Sequence, residues 1–375
     1  MKRVLHITCG LFRNGTETFI MNVFRNIDRS QISFDFLLYS KAENGYEEEA
    51  RELGANIYYY PPRKKGLLKY RNSLHSFFKN NAHKYDAVHF CGNSFTELLP
   101  LKLAKRYGIP VRIAHSHNSS TSGLHNKIFH LWNRKNIGNI ATHYLACSET
   151  ARAWGFGKSK IFFNSEVITN GIELRKYKFN AEDRQEIRKE LGINESTFLI
   201  CHTGAFREVK NHPFLINLFE QIRKINPDSK LVLCGSGSEE NKIRLLVKNK
   251  RLEDAVIFAG SRNDIHKILS ASDVYVFPSL YEGLPFALIE AQANGLPVIA
   301  SDTISKEIML TQNISFVPLS QDFSYWASKI IDSKRTTEKE PDSRLLKYDI
   351  EGTCFRLMEI YNGKSNNQAK KENKI

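Results

Sequence analysis

The sequence has no long hydrophobic run and few cysteines. No uninterrupted apolar stretch approaches the ~20 residues that a membrane-spanning helix needs, and no signal peptide precedes Val4. The six cysteines are scattered without a close pair, which indicates reduced thiols rather than a disulfide framework. From these absences we expect a cytoplasmic protein that is neither secreted nor integral to a membrane.

Acidic residues are outnumbered by basic ones. The chain has 54 lysines and arginines against 40 aspartates and glutamates, which gives a formal net charge of +14. Such an excess favours an anionic partner, which could be nucleic acid, nucleotide phosphate or acidic lipid. No zinc spacing, RNA-binding aromatic signature or basic leucine zipper is present, so we expect no nucleic acid partner.

What the chain does contain is a repeated alternation of apolar strands and helices. Its 375 residues exceed the size at which one hydrophobic core stops growing, so we expect two domains. The alternation favours an α/β fold in which doubly wound parallel sheets carry helices on both faces. We place the domains at residues 1–178 and 179–348, because Glu173–Asn194 is polar and charged. The predicted strands are Arg3–Thr8, Phe34–Tyr39, Asn56–Tyr60, Ala87–Phe90, Val111–His115, His143–Ala146, Phe198–His202, Lys230–Cys234, Val256–Ala259, Val274–Phe277 and Pro297–Ala300.

The most informative segment runs from residue 274 to residue 302. A buried strand ends at Pro278, a loop follows, and the apolar spacing predicts a helix from about Phe286 to Ala293 that Gly295 stops. The next strand follows at once. This order places the loop at the carboxyl end of a parallel sheet, where open α/β sheets bind their ligands.

Two acids lie in this segment. Glu282 is in the loop, where it could equally well be a solvated surface acid with no role in binding. Glu290 is on the helix between Leu288, Ile289 and Ala291, so it is expected to be partly buried and to need a partner. Sugar hydroxyls suit such a position, since one carboxylate can accept two of them.

The loop Pro278–Gly283 reads Pro-Ser-Leu-Tyr-Glu-Gly, and seven residues separate its glutamate from Glu290, which precedes an alanine. This pattern resembles the signature of the retaining glycosyltransferases of sequence family four. The resemblance implies a GT-B architecture, in which two Rossmann-like domains face a cleft and the last helix, predicted at 349–362, crosses back to the first domain. It also implies that Glu282, with its neighbours Gly283, Leu284 and Pro285, contacts the donor sugar, and that Glu290 contacts the ribose.

A second part of the resemblance lies in the loop between Thr203 and Asn211. The family has Gly-Arg here and a lysine five residues after the arginine; this chain keeps Gly204 and Lys210 but has Ala205 at the arginine position. Arg207 would restore the same face if the segment were extended. Two cations converging on a diphosphate would stabilise the leaving group, so no metal or other cofactor is expected. Both are also consistent with ordinary surface cations.

Three glycine-containing turns complete the candidate donor site. Gly15 precedes a helix predicted to begin near Thr18, and the resemblance implies that its loop approaches the donor phosphates, although a plain strand–helix turn explains it almost as well. The loop at Gly235 would let the backbone approach the nucleotide. The resemblance implies that the loop containing Ser261 and Arg262 holds the base through backbone groups.

Two histidines lie at the end of the fifth predicted strand. His115 and His117 do not form a metal site without further ligands, and capping or solvent-facing side chains are the alternative. The resembling family carries a histidine here near the donor sugar and acceptor, and either residue is a candidate catalytic counterpart. The local sequence, Ala-His-Ser-His-Asn, resembles the branch of exopolysaccharide and capsule assembly. That implies a saccharide acceptor, linked to a lipid, at the inner face of the membrane.

A membrane surface is the remaining predicted partner. Residues 61–84 contain seven basic residues and no acid, with apolar residues at helical spacing. The helix face is better explained as core, and Arg63–Lys65 as the membrane contact. Residues 363–375 are rich in lysine and asparagine and are predicted to be disordered.

The leading hypothesis is therefore a retaining glycosyltransferase that uses a UDP-sugar or another nucleotide sugar. A nucleotide-sugar epimerase or hydrolase on the same fold is the first alternative, because fold alone does not fix chemistry. A non-catalytic protein that binds anionic lipid is the second, and it rests on charge alone.

Overall fold

A computed structural model of the protein describes residues 1–43, 45–92, 94–118, 123–157, 159–282, 284–335 and 343–364. The chain divides into two compact units. The first contains Met1–Gly171 and the residues from Asp349 onward, and the second contains Ile172–Tyr348. No helix in the described ranges is long and apolar enough to cross a bilayer.

The first unit is built on a seven-stranded parallel sheet in the order β3-β2-β1-β4-β5-β6-β7. Its strands are β1 Lys2–Thr8, β2 Ile32–Leu38, β3 Ile57–Tyr59, β4 Ala87–Gly92, β5 Val111–Ser116, β6 His143–Ala146 and β7 Glu166–Val167. Its helices are Gly15–Asn26, Glu47–Glu52, Leu67–Asn81, Leu99–Arg106, Leu124–Asn136, Glu149–Phe156, Lys160–Asn164 and Ile350–Tyr361, with short 3₁₀ turns at Arg63–Lys65, Ala82–Lys84 and Ile137–Asn139.

The second unit repeats the architecture with six parallel strands in the order β10-β9-β8-β11-β12-β13. Its strands are β8 Phe198–Thr203, β9 Ser229–Cys234, β10 Val256–Gly260, β11 Val274–Phe277, β12 Val298–Ser301 and β13 Ile314–Val317. Its helices are Leu174–Tyr177, Ala181–Glu190, His212–Ile225, Glu240–Asn249, Ile265–Ala271, Phe286–Ala293, Phe323–Ile331 and Ser343–Leu346, with 3₁₀ turns at Glu208–Lys210 and Lys306–Ile308.

Both sheets are buried on both faces and are mostly apolar, as parallel sheets covered by helices should be. All four residues of β11 are fully buried, and the predicted bounds Val274–Phe277 and Phe286–Ala293 are confirmed. In each sheet the strand order reverses once, between β1 and β4 in the first unit and between β8 and β11 in the second. The loops after those strands meet at the sheet's carboxyl edge, which is the usual position of a ligand site.

The boundary between the units differs from the prediction. The sequence placed it after residue 178, but the first unit ends at Gly171. The reason is packing: Leu174 is buried in the hydrophobic core of the second unit, and Asn22 of the first unit donates a hydrogen bond to the Gly171 carbonyl at 3.2 Å. The return to the first unit begins at Asp349, as predicted.

The first and last helices can be compared with their predicted positions. The first helix begins at Gly15 rather than near Thr18, because the Thr18 amide already donates to the Asn14 carbonyl at 2.8 Å. The last helix, Ile350–Tyr361, packs against the helix Gly15–Asn26 of the first unit, so its predicted return is confirmed. Residues 365–375 of the predicted disordered tail lie outside the described residues.

Candidate functional site

The loops that follow β8 and β11 bring Lys210 and Glu282 together. The Lys210 ammonium lies 2.7 Å from a Glu282 carboxylate oxygen, and only 16% and 19% of the two side chains are exposed. The ammonium also lies 4.5 Å from the centre of the Phe277 ring. The Leu280 amide donates to the Val209 carbonyl at 2.8 Å, which joins the two loops. The sequence predicted both residues at this edge, and the structure pairs them at the reversal point of the sheet.

Glu290 lies on the helix that follows the Glu282 loop. Its carboxylate accepts a hydrogen bond from the Tyr177 hydroxyl at 2.9 Å. Burial raises the pKa of the Glu290 carboxyl to about 7, while the Tyr177 bond acts in the opposite direction. The expected partner for this acid therefore exists within the protein. Sequence reasoning missed it, because Tyr177 falls in the polar stretch that was interpreted as a linker.

The glycines of the site allow two backbones to touch. Gly235 has a positive φ of 145°, and a Cβ there would lie 2.0 Å from the Gly204 carbonyl oxygen. A Cβ on Gly204 would lie 3.0 Å from the Lys210 side chain. The Gly204 amide donates to the Cys234 carbonyl at 2.9 Å. Both glycines thus hold the loop that carries Lys210 against the neighbouring strand end.

We expect Gly235→Ala to destabilise the second unit by at least ~2 kcal/mol, because it combines an unfavourable backbone conformation with an atomic overlap. Urea unfolding followed by circular dichroism measures the change. Gly15→Ala is the matched control, since a Cβ there meets nothing within 4 Å and its backbone is not left-handed. Equal unfolding midpoints for the two variants would contradict the close approach of Gly235 to the Gly204 carbonyl.

Arg207 was predicted to replace the missing arginine on the assumption of an extended segment. That assumption is wrong: the backbone bends between Gly204 and Arg207 and enters a 3₁₀ turn at Glu208–Lys210. The Arg207 side chain is exposed, whereas that of Lys210 is largely buried. Its proposed contact with phosphate therefore no longer follows from strand geometry.

The loop after β10 contains the predicted residues Ser261 and Arg262. The Ser261 hydroxyl donates to that of Ser236 at 3.1 Å, which links this loop to the one at Gly235. The Arg262 guanidinium forms ion pairs with Glu190 and Asp264, and these bonds raise its pKa. Because the Arg262 side chain is engaged within the protein, the predicted contact of this loop with the base would be made by the backbone.

The rest of the predicted loop is only partly described. Gly283 lies outside the described residues. Leu284 packs against the core of the second unit, and Pro285 immediately precedes the helix Phe286–Ala293. The sheet, the loop and the helix thus position Glu282 and Glu290 from consecutive parts of one strand–loop–helix unit.

Three predicted residues belong to the first unit. Gly15 is the first residue of its helix. His115 is fully buried, and its Nδ1 lies 3.0 Å from the Nε2 of His89, so it is neither a cap nor solvent-facing. His117 is partly exposed, and its ring centre lies 3.9 Å from that of His115. Sequence reasoning missed His89, which adjoins this pair.

Comparison with known proteins gives consistent results for both halves. The family model for Glycosyltransferase Family 4 matches residues 13–176, and the model for Glycosyl transferases group 1 matches residues 183–311. EpsF of Bacillus subtilis (strain 168), which is named as a glycosyltransferase, is 34% identical over 373 residues, 96% of each chain. The Staphylococcus aureus capsular polysaccharide biosynthesis glycosyltransferase CapH is 26% identical over 97% of this chain and 100% of its own.

A third relative is the Escherichia coli UDP-Gal:alpha-D-GlcNAc-diphosphoundecaprenol alpha-1,3-galactosyltransferase, which is 28% identical over 80% of this chain and 79% of its own. Among solved structures, Anabaena HepE in complex with UDP and glucose superposes with a TM-score of 0.74 at 17% identity, covering 97% of this chain and all of that one. A Rickettsia africae glycosyltransferase superposes with a TM-score of 0.75 at 15% identity, covering 96% and 97%. The chain therefore belongs to glycosyltransferase family four and has the α/β GT-B fold.

Proposed function

We propose that the protein transfers a sugar from a nucleotide diphosphate sugar to a hydroxyl group of a saccharide acceptor, with retention of anomeric configuration. A UDP-sugar is the preferred donor, because the Escherichia coli relative is a UDP-Gal galactosyltransferase and the HepE structure contains UDP. The observation that carries the proposal is the close pair of Lys210 and Glu282 at the reversal point of the second sheet, where the Glu282 loop leads into the helix that carries Glu290.

The pair suits a donor that carries both phosphate and hydroxyl groups. In the protein alone, the lysine and the carboxylate neutralise each other at 2.7 Å. A bound diphosphate would compete for Lys210, and sugar hydroxyls would take its place beside Glu282. The exchange gives Lys210 an anionic partner and gives Glu282 hydroxyl donors, so each side chain is already held where the donor needs it.

The chemical step follows from that arrangement. The glycosidic bond to phosphate breaks and the bond to the acceptor oxygen forms on the same face of the sugar. The acceptor proton leaves with the departing phosphate oxygen, so the step balances. Lys210 stabilises the negative charge that develops on the diphosphate, a contribution worth about 10²–10³ in turnover in comparable sites. We propose no metal ion or other cofactor for this step, since Lys210 supplies the positive charge.

The acceptor is proposed to be a saccharide, linked to a lipid, in exopolysaccharide or capsule biosynthesis. The role of CapH in capsular polysaccharide biosynthesis supports the pathway class, and the Escherichia coli relative is named for a GlcNAc-diphosphoundecaprenol acceptor. His117 is the better candidate than His115 for the residue near the acceptor, because it alone of the two has exposed surface. The roles predicted for Gly15 and Arg207 in donor binding stay predictions.

A thermal-shift screen across nucleotide sugars tests donor binding, because a ligand that binds only the folded state raises the melting temperature. The best donor is then incubated with a lipid-linked saccharide. A new glycoside with retained configuration is the expected product. Free sugar would favour the hydrolase alternative, an altered nucleotide sugar the epimerase, and no stabilisation by any nucleotide sugar the lipid-binding protein.

We also propose peripheral attachment to an anionic membrane through the first unit. The helix Leu67–Asn81 buries Tyr70, Leu74 and Phe78, so most of its apolar face is core, as predicted. A surface groove beside it is lined mainly with apolar and basic side chains, together with Glu97, which pairs with Arg63 at 3.3 Å. We define the groove patch as Arg63, Leu67, Arg71, Lys102 and Trp132; Leu67 and Trp132 are more than half exposed.

We expect sedimentation with vesicles that contain phosphatidylglycerol, weakened by salt, and little binding to phosphatidylcholine alone. The double variant Leu67→Ser and Trp132→Ser should bind about tenfold more weakly, because it removes two apolar side chains from the contact. Leu245→Ser is the control, since Leu245 is 62% exposed in the second unit. Equal binding by both variants would exclude the groove patch as the contact.

A further inference from the structure

One face of the first sheet carries four histidines and a cysteine at neighbouring positions. His6 on β1 pairs with His89 on β4, and Cys91 on β4 pairs with His115 on β5. His117 follows His115 by two residues. Because paired residues of parallel strands share a face and alternate residues return to it, all five side chains lie on the same face. The fold thus brings together five side chains that are spread over more than a hundred residues of sequence.

Three of these side chains are close enough to bind one ion. One ligand atom from each of Cys91, His115 and His117 lies within 4.8 Å of the other two. A tetrahedral zinc ion with bonds of about 2.0–2.3 Å holds its ligand atoms closer than that, so binding would draw the three side chains together. Cys91 and His115 are buried, and His117 is partly exposed, which leaves a route for an ion from that side.

The free nitrogen atoms point to a ligand. The Nε2 atoms of His115 and His117 are buried without a hydrogen-bond partner among the described residues. Buried polar atoms are nearly always paired, because an unpaired one loses its interaction with water and gains nothing. A metal ion would satisfy both nitrogens at once.

A chain of hydrogen bonds prepares His115 for this role. Its Nδ1 lies 3.0 Å from His89 Nε2, and His89 Nδ1 lies 2.8 Å from the Tyr361 hydroxyl. With each Nδ1–H donating along the chain, His115 Nε2 keeps its lone pair for a ligand. Metal-binding histidines commonly donate their other ring N–H to a fixed partner in this way. Tyr361 belongs to the last helix, so that helix supports the site.

We propose that Cys91, His115 and His117 form a binding site for a divalent transition metal ion of the zinc class. One sulfur and two imidazole nitrogens select zinc-like ions over magnesium or calcium. Three protein ligands leave a fourth position for water. The site lies in the first unit and shares no residue with the pair Lys210 and Glu282, but a bound ion would engage His117, the histidine proposed near the acceptor.

The experiment uses the full chain after treatment with a chelator. Titration with Co²⁺ should produce the thiolate-to-cobalt charge-transfer band and the strong visible absorption of a tetrahedral complex, at one ion per chain. Competition with a chromophoric chelator should show that Zn²⁺ displaces the cobalt. Absence of a thiolate band from the wild-type chain would overturn the proposal without any variant.

Two variants test the ligands individually. Cys91→Ser should abolish the charge-transfer band, and His117→Ala should weaken Zn²⁺ binding at least 100-fold. His117 is partly exposed, so its variant is expected to fold, and circular dichroism checks both. Cys201→Ser, which alters a buried thiol of the second unit, should bind as the wild type does. Unchanged Zn²⁺ affinity in folded His117→Ala would overturn the assignment, whatever the transfer assay shows.

Discussion

Glu290→Ala is expected to weaken binding of UDP or a UDP-sugar by about 100-fold or more. An ionised carboxylate that accepts two ribose hydroxyls makes hydrogen bonds worth about 1.5–3 kcal/mol each, and ~2.8 kcal/mol corresponds to 100-fold. The loss should appear in the dissociation constant measured by isothermal titration calorimetry. Glu253→Ala, an exposed acid of the same unit, is the control. A dissociation constant within threefold of the wild type would exclude Glu290 from the donor site.

The same residue gives a pH dependence with a defined sign. The folded-state pKa of Glu290 is raised from 4.5 to about 7, so the folded protein holds this proton more tightly than the unfolded chain does. The resulting stability is fully present below pH 4.5 and is lost as the pH rises through 7. Glu290→Gln removes the charge. The free energy of unfolding of the variant minus that of the wild type should therefore be larger at pH 8 than at pH 4. The increase should be at most about 3 kcal/mol.

Donor binding should follow the opposite trend in the wild type. The ionised carboxylate is the form that accepts two hydroxyls, so donor affinity should increase as the pH rises from 6 to 8. Glu290→Gln should lose that increase. Urea unfolding measures the pH dependence of stability, and calorimetry on the same samples measures that of donor affinity. Parallel pH profiles for the wild type and Glu290→Gln would contradict both predicted dependences.

Lys210→Met is expected to lower turnover by about 10²–10³ because it removes the cation that faces the leaving diphosphate. The effect should be seen mainly in kcat once donor is saturating. Glu282→Gln should also lower turnover more than donor affinity, since the Glu282 carboxylate is proposed to orient the sugar and not to bind the nucleotide. Their double variant should lose less than the sum of the two, because the residues act as a pair.

A matched ion pair provides the control for this series. Lys250 and Glu220 in the same unit are also 2.7 Å apart, with side chains 21% and 31% exposed. Lys250→Met should leave turnover unchanged and alter stability by about 1 kcal/mol or less, as expected for a partly exposed surface pair. If both lysine variants retained full activity, Lys210 would be only a structural cation.

Much of the fold could be predicted because it depends on local patterns. The runs of apolar residues in Val274–Phe277 and the helical spacing of Phe286–Ala293 are properties of contiguous sequence, and both bounds are confirmed. The two-residue strand β7 gave no such pattern. The position of Gly171 at the boundary depends on which core Leu174 joins, and that is decided only when the chain is folded.

The side-chain partners were harder to predict for the same physical reason. Tyr177 and Glu290 are 113 residues apart, and no sequence period links them. Arg207 was misjudged because the segment bends instead of extending. The histidine and cysteine cluster was accessible in principle: His89 and Cys91 end one strand, His115 and His117 end the next, and adjacent parallel strands align those ends.

Amide hydrogen exchange with and without saturating UDP, or whichever nucleotide sugar stabilises the protein most, tests the donor site most directly. Slower exchange is expected in the second unit at residues 203–210, 234–237 and 260–262 and along the helix that carries Glu290, and Glu290→Ala should lose most of this protection at a nucleotide concentration that just saturates the wild type. Unchanged exchange in those segments, at a nucleotide concentration that demonstrably binds, would contradict the assignment of Lys210, Glu282 and Glu290 to the donor.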